Sequence, residues 1–68
     1  MTEEILKFVK EKGYRDKSEI LLNFPSEDPE IIDMCLNNMT LKRILNRVQF
    51  TKEESGKLNQ YNLYYIPV

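Results

Sequence analysis

Hydrophobic positions keep a helical period through the first forty residues and then change phase. At about 100° of rotation per helical residue, Ile31, Ile32, Cys35, Leu36 and Met39 share one face, whereas Leu41, Ile44, Leu45 and Val48 point to nearly the opposite one. One straight helix cannot bury both sets. The pattern predicts a helix that ends near Met39 or Thr40 and passes into an extended segment, in which Ile44, Val48 and Phe50 alternate with Arg43, Arg47 and Gln49. The alternative is a fourth helix from Leu41 to Val48, capped by Thr40 and bent at the Asn37-Asn38 pair. The strand is preferred because it gives Val48, Phe50 and the tyrosine-rich end a pairing partner.

Upstream, the stops and starts are well marked. Thr2 is the expected N-cap of a first helix, with Glu3 and Glu4 suited to the positive end of the dipole and Ile5, Leu6, Phe8 and Val9 as its apolar face. Lys10 and Lys12 in the last turn and Gly13 as a left-handed cap end it. Tyr14 and Arg15 form a short link able to add a residue or two to a sheet edge. Asp16-Lys17-Ser18-Glu19 reads as a capping box ahead of Ile20, Leu21, Leu22 and Phe24, so a second helix of about two turns follows and stops at Pro25. Asp28 then caps a third helix with Pro29 at its first position.

The polar stretch from Lys52 to Gln60 reads as a long loop, and Tyr61, Leu63 and Tyr65 alternating with Asn62, Tyr64 and Ile66 read as a second strand. Pro67 suits the end of that strand. The expected fold is α+β: one domain over residues 1–68, three helices followed by a two-stranded antiparallel hairpin, with a very short extra strand near Tyr14.

Composition narrows the class. At 68 residues, 41% hydrophobic and 31% charged, the chain has the make-up of a single globular domain. A chain of this size buries only about 60% of its unfolded surface, which leaves little margin. It has no apolar run long enough to cross a bilayer and no basic leader, and its one cysteine argues against a disulfide scaffold. An intracellular setting, cytoplasmic or nuclear, and no membrane partner are expected. Cys35, on the inner face of the third helix, reads as a small core hydrophobe and not as a reactive thiol.

Net charge of −1 conceals a division. Up to Thr40 there are nine acids against five bases; from Leu41 onward Lys42, Arg43, Arg47, Lys52 and Lys57 stand against Glu53 and Glu54 alone. A weakly positive end attracts phosphate, though the chain lacks the strongly basic footprint of a non-specific nucleic-acid binder.

The order helix, helix, turn, helix, strand, wing, strand resembles the winged-helix superfamily over nearly the whole chain. Within it, the spacing is similar to the compact domains that bind left-handed nucleic acid. There, a first helix of the Ile5-Leu6-Lys7-Phe8 kind is followed by a third helix that flows into a strand start, here Ile44-Leu45, and the chain closes on an aromatic and an aliphatic, here Tyr64 and Ile66. The contact residues of that family are a lysine, an asparagine and a tyrosine spaced four apart on the third helix, with a Pro-Pro-x-Trp wing. This chain has Pro29, Asp33 and Asn37 at those helix positions and Tyr61-Asn62-Leu63-Tyr64 at the wing. The resemblance therefore implies the scaffold and not that activity.

Two functions are expected from the residues. The first is a non-enzymatic nucleic-acid-binding module of the transcriptional-regulator kind. It would engage duplex DNA through Asn37 on the third helix and a basic wing of Lys42, Arg43, Arg47, Lys52 and Lys57, with Tyr61 or Tyr64 stacking on a base or sugar. Arg43 and Arg47 are placed on one strand face for a shared phosphate. The second is a protein-interaction or homodimerisation module, presenting Met34 and Leu41 within the acidic surround of Glu30 and Asp33. The bland alternatives are a solvated strand face for the bases and cover by the wing for Met34. With no histidine, no glycine-rich phosphate loop and no cysteine pair, neither an enzyme nor a metal or cofactor site is expected.

Overall fold

The computed structural model describes residues 1–68. Three helices and three strands follow in the order α1 (Thr2–Lys12), β1 (Tyr14–Asp16), α2 (Lys17–Asn23), α3 (Pro29–Leu41), β2 (Asn46–Glu54) and β3 (Lys57–Tyr65). The strands form one antiparallel sheet in the order β1-β3-β2. This α+β arrangement is compatible with a winged-helix-like fold. The sheet has three strands, not the two of a hairpin alone, because the short strand near Tyr14 forms: Tyr14, Arg15 and Asp16 pair with Tyr65, Tyr64 and Leu63.

Local chemistry accounts for the helix limits. Gly13, at φ 90°, closes α1 with its amide on the Val9 carbonyl, a conformation strained for any residue with a Cβ. Met1, not Thr2, occupies the N-cap of α1, and no side chain caps it. The capping box of α2 is formed in both directions, with the Asp16 amide donating to Glu19 Oε1 at 3.3 Å. The Asp28 carboxylate accepts from the Glu30 amide at 2.9 Å and Pro29 opens α3.

The phase change is resolved by a Schellman turn. The Arg43 amide donates to the Thr40 carbonyl at 3.1 Å and the Ile44 amide to the Met39 carbonyl at 2.9 Å, with Leu45 adding a second bond to Met39. Arg43 takes the left-handed position, at φ 61°, that glycine usually fills. The helix thus runs to Leu41, slightly past the expected end, and no fourth helix forms.

Eight side chains make the core: Ile5, Val9, Ile20, Ile32, Leu36, Met39, Leu45 and Tyr64. Cys35 is half-buried and packs against it, as expected of a structural cysteine. Arg15 braces the helices to the sheet. Its Nε donates to the Phe8 carbonyl at 3.1 Å, its guanidinium lies 3.9 Å from the centre of the Phe8 ring, and Glu11 and Glu19 flank it.

Two expectations about the hairpin are corrected. The Lys52–Gln60 stretch is not a long loop: the strands continue to Glu54 and from Lys57, joined by a two-residue turn at Ser55 (φ 52°) and Gly56 (φ 79°). Two successive positive φ values are the primed turn whose twist matches antiparallel strands. Secondly, the set Ile44, Val48 and Phe50 faces away from the helices and stays 40–43% exposed, while Leu45 and Tyr64 point into the core. The helices cover only the base of the ribbon, so its outer part stands free. The radius of gyration is accordingly 12.2 Å, above the roughly 11 Å typical of a chain this long.

Candidate nucleic-acid interface

One concavity marks the surface, of about 590 Å³, lined by Asn37, Thr40, Leu41, Arg43 and Arg47. It lies where the end of α3 meets the start of β2. The helix supplies Asn37, Thr40 and Leu41, the Schellman turn supplies Arg43, and the second residue of β2 supplies Arg47. The Thr40 hydroxyl donates back to the Leu36 carbonyl at 2.7 Å, so its oxygen is the group left to accept.

Both arginines are electrostatically free. The ion pairs of the chain involve the amino terminus, Arg15 and Lys17, with Lys17 Nζ 2.6 Å from Asp33 Oδ1. None engages Lys42, Arg43, Arg47, Lys52 or Lys57. The carbonyls of Asn38, Met39 and Thr40, at the negative end of the α3 dipole, are taken up by the amides of residues 42–45. That leaves two arginines and an asparagine lining one opening, residue types suited to an oxyanion such as a phosphate.

Of the residues expected at a nucleic-acid site, the structure brings Asn37, Arg43 and Arg47 together. Arg43 reaches the concavity from the turn, however, and not from a shared strand face with Arg47. Lys42 is exposed at the C-cap of α3 beside them. The others lie elsewhere. Tyr64, opposite Arg47 across the ladder, is 1% exposed and belongs to the core, so it cannot stack on a base.

Lys52, Lys57 and Tyr61 project from the other face of the ribbon, since side chains alternate along a strand and these share the face of Phe50. The Tyr61 ring stacks on Phe50 with centroids 5.5 Å apart, and its hydroxyl donates to the Glu54 carboxylate. That bond, with a smaller desolvation effect and the carboxylate charge, raises the phenol above its ordinary value, so it stays protonated. Sequence reasoning missed Thr40, although a hydroxyl one turn beyond Leu36 and next to a cationic run was a usable signal.

The alternative surface is also present. Met34 is 67% exposed and Leu41 83% exposed on the outward face of α3, so the hairpin does not cover Met34. Glu30 stands beside them in water, while Asp33 is drawn toward Lys17.

No protein-family model matches this sequence, and no curated protein matches it. No helix is long and apolar enough to cross a membrane.

Proposed function

We propose that this chain is a non-enzymatic nucleic-acid-binding module, an intracellular regulator of winged-helix type. It grips the sugar-phosphate backbone at the junction of α3 and β2. The observation that carries this reading is the convergence of Asn37, Arg43 and Arg47 on one concavity, with both guanidiniums free of internal carboxylates. Arg43 and Arg47 bind a phosphate and Asn37 offers a carboxamide to an adjoining phosphate or base edge. The acids at the start of α3, Asp28 and Glu30, repel the duplex there and tilt it toward the carboxyl end of the helix. Lys52 and Lys57 on the far face of the ribbon add long-range attraction.

Fluorescence anisotropy with labelled duplex DNA and with RNA, at stepped salt, tests this. One phosphate neutralised by the two arginines gives a slope of log K against log salt of roughly −1, which the outlying lysines steepen. Arg43→Glu and Arg47→Glu should each weaken binding and flatten the slope. A second reading rests on the exposure of Met34 and Leu41, which fits a protein partner with an apolar groove and a basic rim. No binding to any nucleic acid, together with self-association or partner binding that Met34→Asp abolishes, would favour that reading.

A further inference from the structure

The outer edge of β2 is unpaired over its whole length, because the sheet order places β3 on one side of it and nothing on the other. Nine consecutive residues without proline or glycine make a long open edge for so small a domain, and such edges are normally shortened or blocked. The two-residue turn makes Glu54 and Lys57 the closing hydrogen-bonded pair, so residues 46, 48, 50, 52 and 54 bond toward β3. The amides and carbonyls of Arg47, Gln49, Thr51 and Glu53 point outward.

We propose that this edge pairs with the same edge of a second copy, antiparallel about a twofold axis at Phe50, to form a six-stranded sheet. Only that centre pairs all nine residues. It sets Arg47 opposite Glu53 twice, Asn46 opposite Glu54, Val48 opposite Lys52 and Gln49 opposite Thr51. The pairs Arg47 with Glu53 and Gln49 with Thr51 are the positions whose backbone groups face outward, as the ladder requires. Centres one residue away lose this match: at Thr51, Val48 meets Glu54, and at Gln49, Arg47 meets Thr51. A centre at Lys52 sets the two lysines against each other.

A second feature agrees. On the face away from the helices Phe50 is 40% exposed and already stacked on Tyr61. Pairing about Phe50 sets Tyr61, Phe50, Phe50 and Tyr61 of the two copies in one row across four strands, covering the exposed ring edges with each other. Beyond the paired stretch the same register brings the small Ser55-Gly56 turn of one copy opposite Leu45 and Ile44 of the other, where the chain bends into α3 and a bulkier turn would collide.

Sedimentation equilibrium of the 68-residue chain over a concentration series, with far-UV circular dichroism to verify folding, tests the pairing. The wild type should show a reversible monomer–dimer equilibrium. Glu53→Arg sets arginine against Arg47 at both ends and should weaken the dimer about tenfold or more. The exchange Arg47→Glu with Glu53→Arg restores both pairs and should restore the dimer. Thr51→Pro removes an outward amide while leaving the bonds to β3 possible, and should leave a folded monomer. A wild type that is monomeric throughout, or a dimer indifferent to Glu53→Arg and Thr51→Pro, would overturn the proposal. Arg47 also lines the concavity and in the dimer competes for Glu53 of the second copy, whereas Thr51→Pro leaves Asn37, Arg43 and Arg47 in place with Arg47 unpaired, so its duplex titration separates failure of the dimer from failure of the nucleic-acid reading.

Discussion

Leu45 and Ile44 are adjacent, both apolar, and differ in almost nothing except the direction the Schellman turn gives them. Leu45 is fully buried in the eight-residue core, and Ile44 is 40% exposed on the opposite face of the sheet. Truncating a fully buried leucine to alanine removes its transfer free energy and leaves a partly relaxed cavity, about 3 kcal/mol in total. A 68-residue domain holds about 3–10 kcal/mol of stability, so Leu45→Ala removes between a third and all of it. The corresponding fall in Tm is roughly 12–24 °C for a domain this small. Ile44→Ala gives up only part of its side chain's burial and should cost about 1 kcal/mol. Urea titrations followed by far-UV circular dichroism read both as shifts of midpoint at constant slope. Equal losses, or a larger loss for Ile44→Ala, would refute the orientation of this junction and with it the placement of Arg43 and Arg47.

Three further outcomes follow from the same geometry. Arg43→Gly relieves a left-handed conformation at φ 61° and should leave stability unchanged or raise it by up to about 1 kcal/mol. It should also weaken duplex binding, a combination that an unfolding variant cannot give. The Asp16 amide, bonded to the Glu19 carboxylate, holds Glu19 below its ordinary value, with Arg15 contributing less and desolvation opposing. A depressed folded-state value contributes stability that is present above the unfolded value, near pH 4.5, and is lost as the pH falls through the folded one. Urea midpoints compared across that window should therefore fall more for wild type than for Glu19→Gln. Asn37→Ala should leave the urea midpoint within about 0.5 kcal/mol of wild type while reducing nucleic-acid affinity, measured by anisotropy.

The helical half of the chain was legible because each helix carries its own punctuation: Gly13, the Asp16–Glu19 box, and Asp28-Pro29. The handover after α3 was legible as a change of phase. The residue making the left-handed turn was not, since Arg43 stands where glycine is the usual signal. The outer ribbon was misread for a physical reason. Strands with water on both faces need no alternation of polarity, so Lys52–Glu54 and Lys57–Gln60 look like loop although their backbones are paired. The Ser55-Gly56 dipeptide carried the turn signal, diluted within the polar run. Tyr61 and Tyr64 look interchangeable in sequence, yet an odd spacing on a strand sends one to each face, and only Tyr64 reaches the core. The candidate site was visible in its residue types, whereas its membership depended on that parity.

Amide chemical shifts of the isotope-labelled chain, followed by NMR as duplex DNA is added at low salt, test the central claim most directly. The expected result is a set of salt-sensitive shifts centred on Asn37, Thr40, Leu41, Arg43 and Arg47, reaching Lys42 and absent at Glu30. Shifts confined to Met34 and the start of α3, or none at all, would contradict it.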